Sequence, residues 1–304
     1  GGEGYDGDQG TTVTWSPFVP GLAASSITAV STYSITSQWT QGSNDAGTYY
    51  EVQVNTYNFA SEGFKATFTY SGFTAPVDGL SANTSYFVRV FAVEDYGPGS
   101  NEQAFSLDLN LGATATLALS PTPLAQTFLG VFETTAAAAW AALPVSPASA
   151  SAYGYTLEAS STNFVGGAVL SSTTFSVLES TLTAGLSLPL ARNTTYYFRV
   201  GSRNTFGALN YAVLGATATL TSKVTPNFSD LFVTSATVSW PPLPGSPQDA
   251  SAEGYLLEAS TAADFSGLML SSRTPNVALT TLTVTGLLEA TTYYFRAASL
   301  NWNS

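Results

Sequence analysis

The residues that could do chemistry in this chain are few, and the missing types decide more than the present ones. Among 304 residues there is no His and no Cys. Without imidazole there is no Ser-His-Asp or Cys-His catalysis and no imidazole metal ligand. Without thiol there is no disulfide, zinc ribbon or iron–sulfur centre. Twenty Asp+Glu against eight Lys+Arg leave a net charge of −12, which argues against binding a nucleic-acid backbone, since that needs clustered positive charge. Carboxylates remain as catalytic candidates, but they are scattered, and Glu158 and Glu258 recur as equivalent positions of a repeat. Two-carboxylate glycosidase chemistry is the class that composition alone leaves open. The chain is therefore read as a non-enzyme, with no catalytic residue and no cofactor.

Three weaker chemistries follow. Asp6-Gly7-Asp8 has the oxygen spacing of part of a calcium loop, but the third acidic position and the terminal Glu of an EF-hand are missing. Asn83, Asn193 and Asn227 begin Asn-x-Ser/Thr sequons, the first two at equivalent positions expected to be surface corners, where Asn is also a good turn former. Sugar there would help to solubilise a surface with only 9% charged residues. Arg89, Arg199 and Arg296 recur at one position, on the opposite face from core aromatics, where an Arg stem covers neighbouring rings.

These residues sit in a repeating frame. Trp39, Trp140 and Trp240 recur about every hundred residues, and Leu157-Glu-Ala-Ser160 returns as Leu257-Glu-Ala-Ser260. Leu111-Gly-Ala-Thr-Ala-Thr-Leu117 returns unchanged at Leu214–Leu220. Ala136, Ala138 and Trp140 alternate on one face, as do Ala236, Val238 and Trp240; this period of two is that of half-buried strands. Thr, Val, Tyr and Phe favour strands, and Gly- and Pro-rich turns lie between the runs. No apolar stretch approaches the ~20 residues of a membrane helix.

The pattern resembles the fibronectin type III family. A Trp ends the second strand before a Pro-rich turn (Trp240-Pro-Pro-Leu-Pro244), a Tyr opens the third (Tyr50, Tyr155, Tyr255), and a Leu precedes a corner Tyr by six (Leu80/Tyr86, Leu190/Tyr196, Leu287/Tyr293). The resemblance implies an all-β chain of three tandem β-sandwiches, a corner Tyr hydroxyl bonded to nearby backbone, and a spacer or binding module without catalysis. The expected organisation is residues 1–19 as a Gly-rich segment plus an orphan strand, with repeats over 20–119, 120–222 and 223–304.

The last repeat shows no counterpart of the closing strand Gly112–Leu117. Conversely, Gly10-Thr-Thr-Val-Thr-Trp15 aligns with that strand and has no repeat before it. The expectation is a donor strand presenting Thr11, Val13 and Trp15 to an acceptor strand with Tyr293, Phe295, Ala297 and Ser299 inward. Strand addition between chains is a known recognition mode, and head-to-tail donation grows a filament. The chain starts with Gly1 and shows no signal peptide, so it reads as a processed product or a fragment. Cutting a segment from a longer array would give the same phase, so two readings stand. One is an extracellular filament subunit whose partner is itself. The other is a piece of a cell-surface array acting as adhesin, spacer or carbohydrate-associated module, with surface glycans or other surface proteins as partners.

Overall fold

A computed structural model describes residues 27–303, except 43, 45–47, 61–62, 71, 96–102 and 106–107. Alternating apolar runs become strands, and the sandwich expectation holds. The first group is β1 (Ile27–Val30), β2 (Ile35–Gln38), β3 (Tyr49–Asn55), β4 (Lys65–Tyr70), β5 (Thr74–Val77), β6 (Ser85–Asp95), β7 (Gln103–Phe105) and β8 (Leu109–Ala115). They form sheets β1-β2-β5 and β4-β3-β6-β7, with β8 also on β6. The second group is β9 (Thr122–Val131), β10 (Ala136–Ala141), β11 (Tyr155–Ser160), β12 (Val169–Thr174), β13 (Thr181–Ala184), β14 (Thr195–Arg203) and β15 (Leu209–Ala218). Its sheets are β13-β10-β9 and β12-β11-β14-β15.

The third group is β16 (Asn227–Leu231), β17 (Ser235–Ser239), β18 (Tyr255–Ser260), β19 (Met269–Thr274), β20 (Thr281–Thr285) and β21 (Tyr294–Ser299). Its sheets are β16-β17-β20 and β19-β18-β21. Its second sheet thus has three strands where the second group has four.

By compactness the chain divides into two units. One is residues 1–119 with 143–153 and 203–210; the other is 120–142, 154–202 and 211–304.

Each sandwich is filled by the Trp and Tyr that marked the repeat. Trp39 and Tyr50, Trp140 and Tyr155, and Trp240 and Tyr255 are buried, with ring centroids 5.5, 5.2 and 5.1 Å apart. Tilted aromatic pairs of this kind contribute beyond the area they bury. The corner Tyr forms the expected bond in all three repeats. The backbone N–H of Ser81, Ala191 and Leu288 donates to the hydroxyl of Tyr86, Tyr196 and Tyr293 at 3.0, 3.0 and 3.1 Å.

Candidate functional site

The site is the edge of β21. In the first repeat β6 pairs with β3 on one side and with β7 and β8 on the other. In the second, β14 lies between β11 and β15. Among the described residues β21 pairs only with β18.

The effect on burial is large. Phe198 and Phe295 are equivalent, and each meets an aromatic of the first strand edge-on at 5.1 Å, Phe128 and Phe228 respectively. Phe198 is wholly buried, and a Cβ on Gly215 of β15 would lie 4.0 Å from the Phe128 ring. Without a strand there, Phe228 is 56% exposed and Phe295 half-buried. Tyr293, Ala297 and Ser299 are also half-buried, whereas Tyr196, Val200 and Ser202 are buried. The predicted acceptor face is therefore the inward face of β21, incompletely covered. Phe128 and Phe228 each pack on a ring of their own repeat.

Two adjacent grooves follow this edge. The larger, about 630 Å³, lies over Phe232, Leu288, Ala290, Thr291 and Tyr293. The smaller, about 240 Å³, lies over Phe228, Leu257, Phe295 and Ala297.

In the other two repeats the ground matching the larger groove holds the end of the closing strand, bonded alike in both. Thr116 N–H donates to Thr84 C=O and Thr219 N–H to Thr194 C=O, each at 3.1 Å. Leu117 N–H donates to Ser31 C=O and Leu220 N–H to Phe132 C=O, at 2.9 and 3.0 Å. The carbonyls of Leu117 and Leu220 accept from Asn83 and Asn193 N–H, at 3.0 and 3.2 Å. The hydroxyls of Thr116 and Thr219 donate to Ser81 and Ala191 C=O at 2.7 Å and accept from Thr84 and Thr194 N–H at 3.0 and 3.1 Å.

The matching groups of the third repeat are Phe232 C=O, Leu288 C=O, Ala290 N–H and both backbone groups of Thr291. The equivalence is shown by their shared local bonds. Phe132 and Phe232 N–H donate to Thr135 and Ser235 C=O. The hydroxyls of Thr84, Thr194 and Thr291 each donate to the carbonyl two residues back. Among the described residues these groups of the third repeat have no partner, and an unpaired polar edge is a template for another strand.

Charge repeats the pattern. Each strand Arg stacks on a Phe held at positive φ: Arg89 on Phe59, Arg199 on Phe164 and Arg296 on Phe265, at 3.9, 4.0 and 4.2 Å. This is the ring cover expected from sequence. In two of the repeats a residue in or just before the closing strand also meets the Arg. Asp108 lies 3.8 Å from Arg89, and Tyr211 stacks 3.9 Å from Arg199 while donating to Glu158 at 2.8 Å. Burial, then that Glu158 contact, pushes the Tyr211 phenol up to about 12. The Arg296 side chain is 55% exposed, against 24% and 29% for Arg89 and Arg199.

Two expectations are corrected. The equivalents of Thr11, Val13 and Trp15 are Ala113, Ala115 and Leu117, and they do not form the core face. Ala113 is exposed, and Ala115 pairs with Ser85, on the Arg89 side of β6. Thr114 pairs with Tyr86, and Thr116 is wholly buried. The inward alternation thus falls on Thr114 and Thr116, because a slip of one residue exchanges the faces. Thr11, Val13 and Trp15 themselves, like Asp6 and Asp8, lie outside the described residues. The described residues hold no cluster of metal-ligating side chains and no helix long and apolar enough to cross a membrane.

The second correction concerns the sequons. Asn193 is wholly buried and donates to Glu253 at 3.2 Å; Asn83 is 9% exposed and donates to Ala148 C=O at 3.1 Å. Their amides hold neighbouring turns and are not surface corners open to sugar. Asn227, on β16, is exposed.

Residues 20–106 match the fibronectin type III domain. Among solved structures the chain is similar to the FN1–FN3 domains of chicken CNTN1, with 17% identity over 90% of this chain and 91% of that one at a TM-score of 0.31. It is also similar to a two-domain fibronectin type III segment of chicken tenascin, with 14% identity over 62% and 95% at a TM-score of 0.32. No curated protein matches the sequence. Residues 20–106 thus carry the fibronectin type III match, and the Trp, corner Tyr and strand order of that segment recur twice more along the chain, as tandem repeats of one fold.

Proposed function

We propose that this chain is a non-enzymatic structural subunit of a surface fibre, and that its third repeat is completed by a strand from a second copy. The observation that carries the reading is the β21 edge, where Phe295, whose equivalent Phe198 is wholly buried, and its neighbour Phe228 stand partly open beside unpaired backbone groups. A long apolar edge with unpaired N–H and C=O groups invites strand addition. The occupant is the segment Gly10–Trp15, which matches both closing strands. Gly112 and Gly215 take φ of +91° and +107°, and β8 bulges beside Gly112. A bulge with a left-handed residue favours glycine, which Gly10 supplies. Donation from copy to copy is heterologous and open-ended, so it yields a filament. The charge-poor, Ser- and Thr-rich surface supports an extracellular setting, and exposed Asn227 is the remaining N-glycan candidate.

The Cys-free sequence makes a covalent test clean. Thr116 N–H bonds Thr84 C=O, so the adjacent pair Ser85–Ala115 is of the closely spaced, non-hydrogen-bonded kind. Its counterpart between copies is Thr292 and Val13. The double variant Val13→Cys, Thr292→Cys, oxidised, should give a ladder of covalent multimers on non-reducing gels, since disulfides form at such Cα separations. Each single variant should stop at dimers. A double variant that stays monomeric, whether open or closed on itself, sinks strand exchange. The native subunit mass gives a second check: a value near 31.6 kDa would support strand exchange, and a much larger polypeptide would support the longer-array reading.

A further inference from the structure

We infer that Thr14 is the residue by which the open edge of the third repeat recognises its strand, through a hydroxyl clip to the Leu288 carbonyl and the Thr291 N–H. The inference rests on the strand-exchange reading above and assigns its register.

In both closed repeats the clip residue is the Thr of Ala-Thr-Leu, at 115–117 and 218–220. Its hydroxyl donates to the carbonyl just after the recurring Leu (Leu80, Leu190) and accepts from the N–H three residues further on. These two backbone groups lie in the corner loop, at a turn that offers them no strand partner. A hydroxyl can serve both at once because it is donor and acceptor together. Val13-Thr14-Trp15 carries the same central residue. In this register Thr14 N–H meets Thr291 C=O, Trp15 N–H meets Phe232 C=O, and Trp15 C=O accepts from Ala290 N–H. The strand would thus be bonded on both sides.

The other end of the segment gives an independent check on register. Counting back from Gly10 as from Gly112, Asp6 falls where Asp108 stands beside Arg89, opposite the half-exposed Arg296. Asp8 falls at Asn110, whose side-chain oxygen accepts the Gly112 N–H at 2.8 Å. A carboxylate does the same for Gly10. In this register the acidic spacing of Asp6 and Asp8 would serve charge complementarity to the acceptor.

The test uses the full chain and reads the concentration at half-assembly by sedimentation. Thr14→Val keeps the shape and removes the hydroxyl, leaving two buried backbone groups unpaired. It should raise that concentration about tenfold to a hundredfold. Thr14→Ser keeps the hydroxyl and should stay within about threefold of the parent. Neither change alters a residue of the acceptor repeat, whose described strands run from Asn227 to Ser299. If Thr14→Val assembles like the parent while the Val13–Thr292 disulfide ladder still forms, strand exchange stands and the clip is wrong. If Thr14→Ser fails as badly as Thr14→Val, hydroxyl recognition is also wrong. Loss of the ladder itself would remove the reading on which the clip rests.

Discussion

The clip can be calibrated inside one chain, at Thr219. This residue is 1% exposed, and its hydroxyl donates to Ala191 C=O at 2.7 Å while accepting Thr194 N–H at 3.1 Å. Replacing it by Val keeps the volume, so no cavity cost enters. Two hydrogen bonds of about 0.5–1.5 kcal/mol each are lost, and the two backbone groups are left dry at about 1–3 kcal/mol each if nothing relaxes. Partial relaxation and the greater hydrophobicity of Val offset some of this. The expected net destabilisation of the second repeat is about 2–4 kcal/mol.

The control is Thr194→Val. Its hydroxyl donates to Arg192 C=O at 2.7 Å on the outside of the same corner, where water replaces the bond, so the cost should stay under about 1 kcal/mol. A tandem array is not two-state as a whole, so native-state hydrogen exchange is the right assay, read by mass spectrometry on peptides of β11 and β14. If Thr219→Val differs from Thr194→Val by less than about 0.5 kcal/mol, the hydroxyl is not holding the corner. The large effect expected at Thr14 would then lose its basis.

Two further outcomes follow. Ala290 has φ of 50° where Asn83 and Asn193 have 46°; left-handed backbone costs a β-carbon residue about 1 kcal/mol, less for Asn, so Ala290→Asn should slow exchange in β21 by an amount worth about 0.5 kcal/mol, and unchanged exchange would refute the strain. Tyr211, with its phenol held up near 12, favours the folded state most below the ordinary phenol range near 10, and that contribution is lost as pH rises from about 10 to 12; equilibrium unfolding across this window should lose stability more steeply in the parent than in Tyr211→Phe, and identical slopes would refute it.

Much of the frame was legible because it rests on large side chains. The Trp–Tyr pairs and the Leu that precedes the corner Tyr must be buried wherever they occur, so their period revealed the sandwiches directly. The face of the closing strand was not legible. In Gly-Ala-Thr-Ala-Thr-Leu every second residue is small on both faces, so the hydrophobic alternation that normally sets register is missing. A bulge beside Gly112 shifts the count further. The sequons misled for another reason. The partners of Asn83 and Asn193 are Ala148 and Glu253, about sixty residues away, and nothing local distinguishes such a buried corner from an exposed one. That β21 pairs only with β18 among the described residues agrees with the phase of the repeat.

The smallness of that strand has a structural cause that bears on assembly. Its inner face supplies Thr116 and Thr219 to the corner clip, and its outer face is covered as well. In the first unit the Asn204 side chain donates to the carbonyls of Ala115 and Thr116, at 2.9 and 3.1 Å. In the second, Asn301 donates to Ala218 and Thr219 at 3.0 and 3.1 Å. Ala115 and Ala218 are each 1% exposed as a result, and a large side chain there would hold the Asn away. The strand that completes one repeat is therefore also the seat of a loop from the next. A strand given by a second copy would carry that copy's first repeat directly behind it, at the place where a following repeat stands within a chain. The proposed strand exchange would thus continue the array from one copy to the next.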